Sequence, residues 1–222
     1  MAVRAIFIDK DGTLIPDVPY NIDPALITLS PGAGHVLYTL QQQGFRLVVV
    51  SNQAGVAHGL FPEAALVGVR QRIETLLAEF NVRLDGFYYC PHHPDADIPA
   101  YRRACDCRKP QPGMLLRAAR DLDIDLSHSW MIGDISADSE AGNRAGCRTI
   151  LIEKPYDPIN GVSDMNRPDF IVSSWDMVGA LMWAEGQDDE HSIHRRTVRG
   201  DENSRHRGLD ARRVLERNGK PD

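Results

Sequence analysis

Apolar residues in this chain occur in short continuous runs, which alternate with longer segments where apolar residues recur every three or four positions. The short runs are rich in β-branched side chains, which is typical of strands buried on both faces. Strands are predicted over 5–8, 45–52, 86–90, 129–134, 148–152 and 170–175. Helices are predicted over 31–43, 62–80, 113–122 and 137–145, with a short one ending near residue 184. The alternation predicts an α/β fold with a parallel sheet and helices on both faces.

Polar side chains follow three of these strands, at the edge where an open α/β sheet binds its ligands. They are Asp9, Ser51 and Asp134. Asp9 and Asp11 lie two positions apart, so in an extended chain they share a face and repel each other beside an apolar core. Mg²⁺ would relieve this repulsion, because it prefers carboxylate ligands together with substrate phosphate. The alternative is that DKDG is simply a turn.

The same residues have the chemistry for phosphoryl transfer. Asp9 can act as a nucleophile that forms an aspartyl-phosphate, and Asp11 can deliver a proton to the leaving oxygen. The Ser51 hydroxyl and the backbone N–H groups after it can bind phosphate oxygens. Lys109 carries a compact charge suited to a phosphoryl group, although a lone lysine is usually a solvated surface residue.

Composition and charge narrow the class of protein. The chain has 222 residues and a formal net charge of −6, which argues against nucleic acid held by overall charge. It has no apolar run long enough for a membrane span, and its start lacks the features of a signal peptide. We therefore expect a soluble cytoplasmic protein. Residues 185–222 contain nine basic and nine acidic residues and few aliphatic ones, which predicts a folded domain over 1–184 and a charged, disordered tail.

Three of the four cysteines cluster within 18 residues beside two histidines. Cys90 and His92, followed by Cys105 and Cys107, form a Cys₃His set that suits a closed, structural zinc site. His93 is an alternative ligand to His92. The site would hold a loop over about 90–108. Iron is a less favoured metal for four sulfur and nitrogen ligands. Unbound thiols and a redox pair at Cys105 and Cys107 are the other interpretations.

Four segments in this order, DKDGT, SNQ, RKP and GDISAD, resemble the motifs of the haloacid dehalogenase-like phosphatases. The resemblance covers roughly residues 3 to 152 and implies a Rossmann-like sheet. It also implies that 1–184 is the phosphatase domain, with a short zinc loop and no large cap domain. It makes Asp9 the nucleophile and Asp11 the general acid and base.

The resemblance also assigns the remaining residues of the centre. Ser51 and Lys109 would hold the phosphoryl group. Asp134 would ligate Mg²⁺ together with Asp9 and the backbone carbonyl of Asp11. Asp138 would be a supporting carboxylate.

The segments CPHHP, CDCRKP and SNQAGVAHG resemble one branch in particular, the D-glycero-D-manno-heptose 1,7-bisphosphate 7-phosphatases. This branch implies a bisphosphate sugar, with the 7-phosphate removed. The residues that it implies for substrate binding are Asp17, Val18, Pro19, Tyr20, Asn52, Gln53, Ala54 and Arg108. Arg108 suits a second phosphate because a guanidinium binds phosphate through two hydrogen bonds.

Two rival functions remain at this point. Histidinol-phosphate phosphatases share the zinc loop, so they are the alternative within the same class. A catalytically silent, zinc-bearing binding module is the alternative from another class. The complete set of candidate catalytic residues argues against the silent module. The expected partner is a small sugar phosphate, with no nucleic acid and no membrane, and we expect a monomer.

Overall fold

The computed structural model of the protein describes residues 3–153 and 165–185. The strands are β1 (Ala5–Ile8), β2 (Arg46–Asn52), β3 (Gly86–Cys90), β4 (Trp130–Gly133), β5 (Arg148–Ile152) and β6 (Phe170–Val172). The helices are α1 (Ala33–Gln42), α2 (Ala54–Ala57), α3 (Ala65–Ala78), α4 (Gly113–Leu122) and α5 (Ser136–Ala145), and residues 175–185 are also helical. Single helical turns lie at Pro24–Leu26, Pro99–Tyr101 and Leu126–His128.

The six strands form one parallel sheet in the order β3-β2-β1-β4-β5-β6. The order reverses direction between β1 and β4, and such a switch point opens a crevice at the carboxyl ends of the strands. The predicted α/β, Rossmann-like sheet is therefore confirmed. The residues that follow β1, close β2 and follow β4 all meet at this crevice.

Both faces of the sheet are buried, which explains the continuous apolar runs. On one face, α4 and α5 pack against alternate strand residues such as Phe7, Val48 and Met131. The residues that alternate with these, including Ile8 and Val49, are also fully buried. Burying one large apolar side chain stabilises the folded state by about 1.5–3 kcal/mol. The packed sheet therefore holds the residues at its strand ends in fixed positions.

The boundaries differ from the prediction mainly at the ends of elements. The helix predicted over 62–80 begins only at Ala65, because a turn with a hydrogen bond from Ala65 N–H to the Pro62 carbonyl precedes it. The sixth strand ends at Val172, and Trp175 already belongs to the following helix. The first strand ends at Ile8, although the Asp9 N–H still donates to the Ile132 carbonyl at 2.9 Å.

The chain divides into two compact units, Met1–Gly179 and Ala180–Asp222. The predicted boundary between a domain over 1–184 and a tail over 185–222 stays a prediction, because residues 186–222 lie outside the described residues. Within 3–153 and 165–185, no helix has the length and apolar character needed to cross a membrane.

Candidate active site

Three carboxylates converge where β1 and β4 end. Asp9, Asp134 and Asp138 each offer an oxygen within 4.8 Å of the others. Gly133 makes this approach possible, because a Cβ at that position would collide with the Asp138 side chain. The Asp138 carboxylate also accepts hydrogen bonds from the N–H groups of Asp134 and Ile135, at 3.2 Å each. This set suits Mg²⁺, which binds through carboxylate oxygens and keeps places for phosphate and water.

The Lys109 ammonium lies inside this acidic cluster. Its Nζ donates to Asp9 Oδ1, pairs with Asp138 Oδ1 at 2.6 Å and donates to the Val50 carbonyl at 3.0 Å. Two hydrogen bonds and one ion pair thus hold the ammonium in place. The interpretation as a solvated surface lysine is therefore wrong, because only 4% of Lys109 is exposed.

The electrostatics of the cluster favour a bound cation. Burial, assisted by the neighbouring Asp138 and Asp134, raises the pKa of Asp9 to about 8, although the Lys109 ammonium opposes this shift. Burial by itself lowers the pKa of Lys109, but the carboxylates of Asp138 and Asp9 outweigh it and raise that pKa. Three carboxylates around one ammonium leave excess negative charge, which a divalent ion would neutralise.

The Asp11 carboxylate is not part of this cluster. Its Oδ1 pairs with Lys10 Nζ at 2.5 Å, and its Oδ2 accepts from Gln53 Nε2 at 3.0 Å. Gln53 Nε2 also donates to Ser51 Oγ at 2.7 Å. The acidic group at the first motif is thus Asp9 with Asp134 and Asp138, and not the pair Asp9 and Asp11. This arrangement suits the expectation that Asp11 meets a metal only through its backbone carbonyl.

Asn52 joins the end of β2 to the segment that carries Lys109. Its side-chain amide donates to the Lys109 carbonyl at 3.1 Å, and its side-chain oxygen accepts from the Lys109 N–H at 3.0 Å. Both ends of the Asn52 side chain are therefore engaged by Lys109. These contacts fix the backbone of Lys109, and substrate binding by Asn52 stays a prediction.

The four predicted zinc ligands come together. One atom from each of Cys90, His92, Cys105 and Cys107 lies within 4.8 Å of the others, and the three sulfurs are 2.9–3.5 Å apart. The interaction with Cys90 lowers the pKa of the Cys107 thiol to about 5. A thiolate is the form that binds metal, so these residues fit a tetrahedral zinc ion.

The structure separates the two candidate histidines. His92 Nδ1 lies 3.3 Å from Cys107 Sγ and 3.7 Å from Cys90 Sγ. His93 faces elsewhere, because its Nδ1 accepts from the Asp95 N–H and its ring packs on His58 with centroids 5.0 Å apart. The geometry therefore places His92, and not His93, at the cluster.

We call residues 90–108 the metal loop, and its base is fixed by a shared acceptor. Glu63, which lies between α2 and α3, accepts hydrogen bonds from the hydroxyls of Tyr89 and Tyr101 at 2.8 Å each. Burial and the Glu63 carboxylate raise the pKa of Tyr89, so the phenol stays protonated as a donor. A cavity of about 450 Å³ opens beside these groups and reaches His92 and Cys107.

The residues expected to bind the sugar lie on segments next to those that carry the candidate catalytic residues. Residues 17–20 (DVPY) are exposed, and Tyr20 adopts a left-handed backbone with φ of 56°. The Tyr20 ring reaches α2 at Gly55, where a Cβ would lie 3.0 Å from Tyr20 Cδ1. Arg108 lies at the end of the metal loop, where its Nη1 donates to the His92 carbonyl at 3.4 Å. Ala54 begins α2, next to Gln53.

Comparisons with known proteins identify the family. Residues 106–176 match the family model described as HAD-hydrolase-like. A protein of Escherichia coli (strain K12) named D-glycero-beta-D-manno-heptose-1,7-bisphosphate 7-phosphatase is 39% identical over 173 residues, which cover 78% of this chain and 90% of the relative. The chain belongs to the HAD-like phosphatases.

Two further HAD-like phosphatases support this assignment. A Photorhabdus laumondii protein with the same name as the E. coli relative is 41% identical over 158 residues, covering 71% of this chain and 84% of that protein. The solved structure of a D,D-heptose 1,7-bisphosphate phosphatase from B. bronchiseptica, complexed with magnesium and phosphate, superposes with a TM-score of 0.68. It is 28% identical and covers 82% of this chain and 99% of that one.

Sequence reasoning missed two residues of this HAD-like phosphatase. Lys10 lies within the DKDGT motif but has no role in the sequence-based prediction. Its side chain is only 2% exposed, and its ammonium contacts Asp11. The apolar strand before it gave one usable signal, because a charge so close to a buried strand requires a partner. Glu63 carried no such signal, since its tyrosine partners are 26 and 38 positions away in the sequence.

Proposed function

We propose that this protein is a magnesium-dependent phosphatase that removes the 7-phosphate of D-glycero-β-D-manno-heptose 1,7-bisphosphate. The observation that carries this proposal is the buried Asp9 carboxylate, held by Lys109 beside Asp134 and Asp138 at the switch point of the sheet. A nucleophile, a cation for the phosphoryl oxygens and a set of metal ligands thus meet at one point.

In the first step, Asp9 attacks phosphorus in line with the leaving sugar oxygen. We assign the attack to Oδ2, because Lys109 holds Oδ1. A bond forms between Oδ2 and phosphorus while the bond from phosphorus to the sugar oxygen breaks. Asp11 gives its proton to that oxygen, so the sugar leaves as an alcohol.

In the second step, water attacks the aspartyl-phosphate. Asp11, now a carboxylate, accepts a proton from the water, and the bond between phosphorus and Oδ2 breaks to release inorganic phosphate and restore Asp9. Lys109 and the Ser51 hydroxyl hold the equatorial oxygens in both steps. Magnesium bound by Asp9, Asp134 and the Asp11 carbonyl, with Asp138 in support, would supply positive charge to the phosphoryl oxygens.

The substrate proposal rests on the names of the relatives and on two parts of this chain, residues 17–20 and Arg108. The names of the E. coli and P. laumondii relatives specify the β-heptose bisphosphate. The B. bronchiseptica protein is a D,D-heptose 1,7-bisphosphate phosphatase. In this chain, residues 17–20 are exposed, and Arg108 directly precedes Lys109. We infer that Arg108 faces the second phosphate, since a guanidinium fits phosphate better than an ammonium does.

We propose a structural role for zinc in the metal loop. All four ligand positions are supplied by protein, so no place remains for a reacting water. The loop ends at Arg108 and Lys109, and a fixed loop would hold both residues at the site. Zinc would thus support the reaction without taking part in it.

The test is phosphate release with Mg²⁺ from the β and α heptose 1,7-bisphosphates and from histidinol phosphate, with phosphorus NMR identifying the sugar product. We expect the β anomer to give the highest kcat/KM and to leave the 1-phosphate on the sugar. Asp9→Asn should abolish turnover. Asp123→Asn is the matched control, because Asp123 is exposed, lies at the end of α4 and has a backbone φ of 55° that asparagine tolerates.

Each other outcome points to a rival function. Preference for histidinol phosphate would keep the mechanism and replace the substrate. Absence of turnover with every phosphate monoester, with Mg²⁺ present, would favour the silent binding module.

A further inference from the structure

The side chain between the two motif aspartates is a buried cation that the mechanism above does not use. The Lys10 side chain is only 2% exposed, and its ammonium lies 2.5 Å from Asp11 Oδ1. An unpaired buried ammonium is costly, so this ion pair fixes where Lys10 lies. The Asp11 side chain is 32% exposed, so it opens toward solvent on the side that Lys10 does not cover.

The second oxygen of Asp11 has a different neighbour. Gln53 Nε2 donates to Asp11 Oδ2 at 3.0 Å and to Ser51 Oγ at 2.7 Å, so Oδ2 lies on the side of the carboxylate that faces Ser51. Ser51 is the hydroxyl assigned to the phosphoryl group. The two oxygens of Asp11 are therefore not equivalent, because one is anchored to a lysine and the other faces the reacting group.

We propose that Lys10 is a positioning residue for the general acid and base, an inference that rests on the proposed phosphatase function. Lys10 anchors Oδ1 of Asp11 and thereby presents Oδ2 to the leaving oxygen. Oδ2 gives its proton to the leaving oxygen as the bond between phosphorus and that oxygen breaks. Oδ2 then takes a proton from the attacking water. In the resting protein, the Gln53 amide occupies the place that the leaving oxygen takes during the reaction.

Proton transfer tolerates only a small displacement of the donor from its acceptor. A proton donor must lie within hydrogen-bond reach of its acceptor, and a displacement of about 1 Å can cost about a hundredfold in rate. A carboxylate that follows the end of a strand can rotate about its own side-chain bonds unless something holds it. Lys10 supplies that restraint from a buried position, where its own side chain is fixed when the protein folds.

The experiment compares two leaving groups, because general acid catalysis matters only for the poor one. An alkoxide leaving from a sugar phosphate requires a proton, whereas the nitrophenolate of p-nitrophenyl phosphate leaves without one. We would measure kcat/KM, which stops at departure of the leaving group and so excludes hydrolysis of the aspartyl-phosphate. In Lys10→Met, we expect kcat/KM for the heptose bisphosphate to fall about 10–100-fold, and that for p-nitrophenyl phosphate to fall less than about threefold.

Three further variants serve as controls. Asp11→Asn removes the acid itself. It should therefore lose more kcat/KM for the heptose bisphosphate than Lys10→Met does, again with a smaller loss for p-nitrophenyl phosphate. Lys10→Arg keeps the cation and should restore part of the lost activity. Arg70→Met removes a cation from the α3 surface, where Arg70 pairs with Glu74 and, within 3–153 and 165–185, with no other acidic residue. It should leave kcat/KM unchanged for both substrates.

Equal losses on both substrates in a folded Lys10→Met protein would overturn the proposal, because a merely structural lysine would not distinguish leaving groups. If Lys10→Met does not fold, Lys10→Arg decides. The proposal then requires a loss confined to the sugar phosphate in Lys10→Arg, and it fails if this variant loses the two activities equally or loses neither. Failure of the proposed function is separate, since it would appear as a wild-type protein that hydrolyses neither substrate.

Discussion

At the scale of single residues, the site is defined by which atoms each charged group contacts. Lys109 donates hydrogen bonds to Asp9 and to the Val50 carbonyl and forms an ion pair with Asp138. A phosphoryl oxygen must therefore replace one of these partners when substrate binds. In the absence of substrate, these charged groups contact one another. We expect a substrate oxygen to displace one of these contacts instead of filling an empty position.

The raised pKa of Asp9 makes magnesium binding depend on pH. Because the pKa is about 8 in the folded, metal-free protein and far lower in the unfolded chain, the folded state binds the extra proton. The stability of the metal-free protein should therefore fall as pH rises from about 4 to about 8. Millimolar Mg²⁺ binds the ionised carboxylate, so its gain in melting temperature should be larger at about pH 8.5 than at about pH 6.

Differential scanning fluorimetry with and without Mg²⁺ would measure this gain, and Asp9→Asn is the control. The variant cannot ionise at residue 9, so its response to Mg²⁺ should be small at both pH values. An equal gain at both pH values in the wild type would contradict the expected linkage.

Asn52 should act through Lys109 and not through the substrate. Because its amide binds both the N–H and the carbonyl of Lys109, Asn52→Ala would loosen the segment that carries the ammonium. We expect kcat to fall about 10-fold or more, with a much smaller change in KM. Steady-state kinetics would check this, and a rise in KM at unchanged kcat would restore Asn52 to the substrate-binding residues.

Residue types were easier to predict than residue partners. The chemistry of Asp9, Ser51 and Lys109 follows from their side chains and from the strand ends before them. The partner of Asp11 did not follow, because the two-residue spacing predicts a shared face only if the strand continues, and β1 ends at Ile8. Backbone direction beyond a strand end depends on tertiary hydrogen bonds, such as that from Asp9 N–H to the Ile132 carbonyl.

At the scale of elements, the metal loop is held from both of its ends and from its middle. Cys90 is the last residue of β3, and the Asp106 carbonyl accepts from Gly113 N–H at the start of α4. In the middle, Ile98 N–H donates to the Ala57 carbonyl of α2, and His58 pairs with Asp97 at 2.9 Å. The loop thus contacts the helix that follows the Ser51–Ala54 turn.

The two adjacent histidines give a matched test of the metal site. His92→Ala removes the nitrogen that faces the sulfurs, so the purified variant should lose its bound zinc or hold it far more weakly. His93→Ala changes a neighbouring imidazole and should retain one zinc per chain. Metal content by mass spectrometry of the purified proteins would decide, and the reverse pattern would place His93 in the site.

The cysteines allow a parallel comparison. Cys107→Ala should lose zinc together with the order of the loop. Cys147→Ala should retain it, because Cys147 is buried in the core next to β5, where burial raises its thiol pKa to about 12.

At the scale of the whole molecule, the sheet was the most predictable feature and the extent of the folded unit the least. All six strands were predicted because each is a run of apolar residues, and those of β1 and β4 are buried on both faces of the sheet. Helix ends were less accurate because turns such as that at Pro62 share the composition of helices. The order of the strands was not predicted, because no local pattern states which strands are neighbours.

The charged C-terminal segment should be dispensable for catalysis. The E. coli relative matches 78% of this chain while 90% of its own length is covered, so part of this chain has no counterpart there. All proposed site residues lie between Asp9 and Asp138. A chain ending at residue 185 should therefore keep the kcat/KM of the full protein in the phosphate-release assay. A large loss, with an unchanged circular dichroism spectrum, would assign the segment a role in the reaction.

The sheet order also has a consequence for how the protein acquires its activity. Asp9 and Lys109 are 100 positions apart, and Thr13 reaches Asp134 across 121. Contacts between such distant positions form slowly, because long stretches of chain must first be brought together. The catalytic centre is complete only when these distant segments meet, so turnover should return only after β1 has been enclosed between β2 and β4. The rate at which activity returns during refolding would therefore report the rate of the last stage of sheet assembly.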